Sequence, residues 1–195
     1  VSVPPAPPLL LASRSPQRRA ILEQLGVAFD VAPPSWEELV GGDPVETVRA
    51  NALGKARSVA AAAGERPVLG VDTEVVLGGR VFGKAETEGE AEEMLEALAG
   101  RKHEVVSGLC LITAAWEVVE HQVTRVAFRP LDARDLASYV ALGEWQGRAG
   151  AYAVQGRGAA LVERIEGDYL NVVGLPAALL VRLLAERFAG VYGFG

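Results

Sequence analysis

Apolar and polar positions follow two rhythms along this chain, and each change of rhythm marks an element. Leu9, Leu10 and Leu11 are a short apolar run of strand type, after which Ala20, Ile21, Leu22 and Leu25 recur at helical spacing. Ser15 followed by Pro16 supplies an N-cap and the favoured first helical residue, and Gly26 stops the helix. Residues 27–32 read as a second strand, followed by a loop with Pro33, Pro34, Trp36, Glu37 and Glu38. Asp43, Pro44 and Glu46 then open a long helix that runs to about Ala63 and carries Arg49, Asn51, Lys55 and Arg57.

Residues 66–77 form an apolar run interrupted by Asp72, Thr73 and Glu74, and Gly78 with Gly79 fits a tight turn that returns 80–82 as a hairpin. Thr87 and Glu90 read as a capping box ahead of a helix with Ala91, Met94, Leu95 and Leu98 inward, ending at Gly100. Two long strands are predicted over 103–113 and 118–129, with a turn at 114–117. Asp132 caps a helix through Leu142 that Gly143 stops, and 147–158 is a glycine-rich ordered loop. A strand over 159–165, a turn region over 167–174 and a closing helix over 176–188 complete the chain, with Leu179, Leu180, Leu183 and Leu184 inward. Helices alternating with strands and a hairpin predict an α/β fold with a mixed, twisted sheet and flanking helices. Residues 1–8 are proline-rich and expected to be loosely held, and 9–195 to form a single domain.

Composition sharpens this picture. Half of the 195 residues are apolar but only 6% are aromatic, so the core is expected to be mainly Val, Leu and Ala. A formal net charge of −6 argues against a nucleic-acid polymer or an anionic membrane as partner, so any anion must be bound by a local cluster. The lone Cys110 excludes an intramolecular disulfide and a cysteine-rich zinc site. With His103 and His121 as the only histidines, a metal would take oxygen ligands, as magnesium or manganese does. No basic segment precedes the Leu9 run and no apolar stretch approaches the roughly eighteen residues of a membrane span, which leads to the expectation of a cytoplasmic protein.

Four places carry candidate chemistry. Ser13 to Arg18 sit where a strand becomes a helix N-terminus, so backbone N–H groups, the Ser13 and Ser15 hydroxyls and Arg14, Arg18 and Arg19 could hold phosphate. The alternative is a plain Ser15 cap with solvated arginines. Asp72 and Thr73 interrupt a strand of Val, Leu and Gly, where a carboxylate must be paired, metal-bound, or at a strand end bonding to nearby backbone. Glu74, two residues on, shares its face in a regular strand.

The stretch GGRVFGKA at 78–85 resembles part of a phosphate loop but lacks the Ser or Thr and follows a hairpin turn, so it is not one. Lys84 remains a point charge that the hairpin returns toward Asp72, or else an exposed turn lysine. In GRAGAYAVQ at 147–155, small residues permit close approach of a flat ligand, and Gln155 can donate and accept along a base edge; otherwise this is a packed loop. His103 has no obvious partner and reads as structural. No G-x-G-x-x-G opens a helix after the first strand, which leaves a dinucleotide-binding oxidoreductase unsupported.

Taken with LASRSPQRRAILEQLG, the N-A-x-x-K segment ending at Lys55, LGVDTEVVL, FGKAET, LAGRKHEVVSG, GRAGAYAVQGRGA and EGDYLNVVGLP, the sequence resembles the Maf family of nucleoside triphosphate pyrophosphatases. The matches run in order through nearly the whole chain after residue 8. The resemblance implies cleavage of a nucleoside triphosphate between the α and β phosphates with a divalent cation. It also implies an elongated, inosine triphosphatase-like fold of two lobes around a deep cleft, and a homodimer.

By the same resemblance Ser13, Arg18, Lys55 and Lys84 contact phosphate, with Ser15 beside them, and Asp72 is the proton acceptor. Glu38 matches an acidic position and, with Asp72, would hold the cation; Glu74 is a further candidate. Gln17, Thr73 and Gln155 fall on positions of base selection. Thr73 with Gln155 resembles the branch acting on dTTP and UTP, whereas the branch acting on 7-methyl-GTP carries an acidic residue where Gln155 stands. Gln17 departs from the arginine usual in the first branch, which leaves modified uridine and cytidine triphosphates, or broader specificity, as substrates to consider. Ala85 replaces the proline that commonly follows the lysine. The alternative from another class is a nucleotide-binding regulator of septum formation without turnover.

Overall fold

A computed structural model describes residues 7–194, so most of the segment expected to be loose, 1–6 of 1–8, lies outside the described residues. The elements run β1 (Leu9–Ala12), α1 (Pro16–Gln24), β2 (Phe29–Val31), α2 (Pro44–Ala60), β3 (Val68–Leu77), β4 (Arg80–Phe82) and α3 (Glu88–Leu98). They continue with β5 (Lys102–Ile112), β6 (Glu117–Phe128), α4 (Ala133–Val140), a 3-10 helix (Arg157–Leu161), β7 (Val162–Glu166), α5 (Tyr169–Val173) and α6 (Ala177–Phe188). Seven strands form one mixed sheet in the order β2-β1-β3-β5-β6-β7, with β4 paired to β3. This is the mixed α/β architecture that the alternation of rhythms predicts. No described helix is long and apolar enough to cross a membrane.

The chain divides into two compact units. One holds the chain up to Asp72, Ser107–Gln122 and the chain from Gly174 onward; the other holds Thr73–Val106 and Val123–Val173. In the first unit β1 runs parallel to β2 and to the start of β3. Helix α2 covers these strands with small side chains, Ala52, Ala56 and Val59, against Leu10, Ala12, Val68 and Cys110. The helix lies close because two strand positions opposite it lack a side chain: a Cβ at Gly70 would run into the Ala52 carbonyl, and one at Gly108 into the Val48 carbonyl.

The second unit gathers aromatic side chains: Phe82, Phe128, Tyr139, Trp145 and Tyr152 share one core with Leu95, Leu98 and Val126. His103 stands edge-on to Phe128 and Tyr152 with ring centroids 4.9 and 5.5 Å away, and its Nε2 is 2.9 Å from the Tyr152 hydroxyl. The structural role read for it is the one it has. Burial pulls the imidazole from 6.5 down to about 4. Protonation therefore favours the unfolded chain, so this contribution is whole above pH 6.5 and is lost as pH falls toward 4. Urea unfolding at stepped pH is expected to lose about 3 kcal/mol across that window from this group, with a shallower slope in His103→Gln. Equal slopes in both proteins would assign the acid sensitivity to carboxylates instead.

Three local expectations change. Residues 159–165 do not begin as a strand, because the Glu144 carboxylate accepts the N–H groups of Arg157 and Gly158 and starts the 3-10 helix; β7 begins at Val162. The turn region at 167–174 contains α5, whose second and third N–H groups, Leu170 and Asn171, donate to Asp168 Oδ1 at 2.8 and 3.3 Å. Thr87 caps α3 by accepting from the Glu90 N–H at 3.2 Å, but Glu90 Oε2 accepts from the Glu86 N–H, so the box does not close on Thr87. The closed box belongs to Asp132 and Asp135 at α4.

Candidate functional site

In the first unit the turn from β1 into α1 is held by two hydroxyls. Ser13 Oγ accepts from the Ser15 N–H at 3.1 Å and from Arg18 Nη1 at 3.2 Å. Ser15 Oγ caps α1 by accepting from the Arg18 N–H at 3.5 Å and donates to Gln17 Oε1 at 3.0 Å, so Gln17 is folded back onto the cap. The arginines do not act as a group: Arg14 and Arg19 are exposed, while Arg18 is buried and its Nε donates to the Gly174 carbonyl at 2.9 Å. Burial lowers the Arg18 pKa from its ordinary value, against the opposing fields of Asp72 and Glu38.

Helix α2 supplies the second half of this cluster. Asn51 and Lys55, one turn apart on its buried face, each donate to a different oxygen of Asp72: Lys55 Nζ to Oδ1 at 2.7 Å and Asn51 Nδ2 to Oδ2 at 2.9 Å. The interruption of β3 is thereby explained as a paired carboxylate. Asp72 lies beyond Gly70, the last β3 residue paired with β1, and before Val75, the first paired with β4. Glu38 approaches the same ammonium, with Oε1 2.5 Å from Lys55 Nζ, from a side chain that is half exposed. Two carboxylates from separate segments therefore converge on one cationic position.

Asn51 is the residue that sequence reasoning left without a role. Its Oδ1 accepts from the Leu39 N–H at 2.8 Å and from Trp36 Nε1 at 3.0 Å, and its Nδ2 also donates to the Leu39 carbonyl at 3.0 Å. One amide thus ties the loop that carries Glu38 to the carboxylate of Asp72. Trp36 lies over Gly54, where a Cβ would strike the indole ring, which accounts for a glycine inside a helix. The available signal was an amide one turn before Lys55 on a stripe otherwise made of Val48, Ala52, Ala56 and Val59.

The second unit holds Thr73, Glu74, Lys84 and Gln155. Thr73 and Glu74 are half-buried, and Lys84 and Gln155 are exposed. The β3–β4 ladder ends at Phe82, and Lys84 bridges instead to Ala149, while the Gly150 N–H donates to the carbonyls of Phe82 and Gly83 at 3.1 and 3.0 Å. The glycine-rich segment is therefore an ordered loop laid along the end of β4. Gln155 stands in a turn closed by the Gly156 N–H donating to the Ala153 carbonyl at 3.0 Å. Among the described residues, no group of three or more His, Cys, Asp or Glu side chains is arranged to hold a metal.

The family model described as "Maf-like protein" matches residues 8–187. This chain belongs to the Maf family. The Maf chain is 48% identical over 181 residues to the dTTP/UTP pyrophosphatase of Gloeobacter violaceus, covering 91% of this chain and 95% of that one. It is 47% identical over 189 residues to the dTTP/UTP pyrophosphatase of Moorella thermoacetica, covering 95% and 97%. The Ham1 protein of Staphylococcus aureus aligns with 63% of this Maf chain and 72% of its own at 16% identity, with a TM-score of 0.45.

Proposed function

We propose that this Maf-like protein hydrolyses dTTP and UTP between the α and β phosphates, giving the nucleoside monophosphate and pyrophosphate. The observation that carries the reading is Asp72, a buried carboxylate with one donor on each oxygen and a lysine and an amide holding it in place. Dependable in-line attack needs a water oriented against the α phosphorus and an acceptor for its proton. Each Asp72 oxygen has acceptor capacity left after its one bond, so the carboxylate can take that proton as the water oxygen bonds to phosphorus and the bond to the bridging oxygen breaks.

The charge of the departing pyrophosphate falls to Arg18, Lys55 and Lys84, with Ser13 and Ser15 at the β1–α1 turn as neutral donors. Ser13 and the Gly174 carbonyl fix the Arg18 guanidinium before any ligand arrives. Glu38 and Asp72, whose oxygens now face the Lys55 ammonium, would hold a hard divalent cation only through acceptor capacity that Lys55 leaves open, and magnesium or manganese needs only one or two such ligands when phosphate and water supply the rest. Such an ion would neutralise phosphate charge.

Base choice rests on Thr73 and Gln155, which support the pyrimidine branch, and on Gln17, a neutral amide bonded to Ser15 where that branch usually has arginine. Identities of 48% and 47% to two dTTP/UTP pyrophosphatases support the same substrates. A homodimer, carried by the family resemblance, and a cytoplasmic location, expected from the hydropathy pattern of the sequence, complete the reading.

The test is pyrophosphate release with magnesium or manganese on dTTP, UTP, CTP, 5-methyl-UTP, 7-methyl-GTP and the common purine triphosphates. The expected result is highest kcat/KM for dTTP and UTP. Activity confined to 7-methyl-GTP would overturn the branch, and stoichiometric binding with no turnover of any nucleotide would favour a regulator.

A further inference from the structure

We infer that Glu144 is a specificity-setting positioning residue, which with Tyr139 fixes the turn that presents Gln155 to the base. The inference rests on the pyrophosphatase reading and adds a residue that touches neither phosphate nor base.

The turn 153–156 is clamped at both ends by side chains from one short stretch. At its start the Tyr139 hydroxyl accepts from the Ala153 N–H at 2.9 Å. Just past its end Glu144 Oε1 accepts from the Arg157 N–H at 3.1 Å and Oε2 from the Gly158 N–H at 3.3 Å. These N–H groups open the 3-10 helix Arg157–Leu161, whose N-cap, Gly156, has no side chain to satisfy them. The carboxylate does so from outside, one oxygen for each.

The seat is shaped for this contact. A Cβ on Gly156 would enter the Glu144 carboxyl group, and one on Gly158 would come within 3.0 Å of the Tyr139 hydroxyl and onto the Ala153 carbonyl. Both glycines therefore let the clamp reach backbone directly. Between the fixed points Gln155 is exposed, and among the described residues its side chain makes no hydrogen bond. Its backbone is set while its amide remains available.

An amide that reads a base edge must place a donor and an acceptor together, and a displacement of about 1 Å spoils both bonds. Release of the clamp should therefore weaken recognition of the base without altering the carboxylate chemistry at Asp72. Glu144→Gln keeps the size but sets an NH2 group against one of the two N–H donors. Tyr139→Phe keeps the ring and removes the acceptor at Ala153 together with the hydroxyl's own interaction with Glu144, the other half of the clamp.

The experiment compares UTP with CTP, whose pyrimidine rings differ at the edge an amide would read. In Glu144→Gln the ratio of kcat/KM for UTP over CTP is expected to fall roughly tenfold, through KM for UTP, with kcat within about threefold of wild type. Tyr139→Phe is expected to shift the ratio the same way and carries the test if Glu144→Gln does not fold. In a Gln155→Ala background neither substitution should change the ratio further, a coupling that general loosening of the fold would not produce. An unchanged ratio in both variants, a parallel fall for both nucleotides through kcat, or effects that persist without Gln155 would overturn the inference while wild-type activity on UTP leaves the pyrophosphatase reading standing. Wild-type silence on every nucleotide would overturn both.

Discussion

Asp72→Asn is expected to lower kcat for pyrophosphate release from UTP by about 10³-fold while the chain stays folded. Asparagine has the same shape, and its single carbonyl oxygen can still accept from Lys55 or Asn51. Its NH2 group then faces the other donor, and it has no capacity to take a proton from water at neutral pH. The native side chain is almost wholly buried, so no solvent base reaches the same place at no cost. Steady-state kinetics beside a thermal unfolding curve separates chemistry from folding. Turnover within about tenfold of wild type would move the proton acceptor to another residue.

Lys55→Met is expected to damage folding and activity together. Its side chain is 6% exposed, and the ammonium bonds to Asp72, whose side chain is 9% exposed, and to Glu38, whose side chain is 50% exposed. Glu38 can turn to water, so its pair contributes no more than an ordinary surface pair, about 1 kcal/mol or less. Asp72 has no such escape and keeps only the Asn51 donor. Removal of one partner from a buried pair costs about 3–5 kcal/mol, and the relief available to Glu38 places the expectation near 3. Denaturant unfolding measures this, and a loss under about 1 kcal/mol would show that water reaches Asp72 in the fold. Activity should fall at least about 100-fold, since the charge proposed to meet the departing phosphates is gone as well.

What the sequence could and could not reveal divides along one physical line. Asp72 was legible because a carboxylate amid Val68, Leu69, Val71, Val75 and Val76 demands a partner. The helix starts were legible because Ser15, Asp43, Thr87 and Asp132 act on neighbours within a turn. Among the three arginines in and beside α1, Arg18 alone shares the buried stripe of Ile21 and Leu22, a phase that the helical spacing carries. Lys55 and Glu38 acquired roles only through the family resemblance, since the bonds that join them cross from a loop to a helix. Asn51 and Glu144 stayed silent because several of their partners are backbone groups, which no letter in the sequence marks. The last three residues of the 3-10 helix, 159–161, read as strand for the same reason: AAL is apolar enough for either, and the deciding carboxylate lies thirteen residues upstream of Arg157.

The seating of α2 on Gly70 and Gly108 bears on how this site behaves when warmed. Most contacts in a protein interior run between side chains, which hop among rotamers more often as temperature rises and blur whatever they support. Where the helix meets those two glycines there is no χ angle to populate, only main chain and the Ala56 methyl against main chain. Asn51 and Lys55 ride on that same helix, so their aim at Asp72 is referenced to the stiffest part of the polymer. The backbone that carries the two donors of the Asp72 carboxylate is thus held by a contact with little configurational freedom to gain on heating.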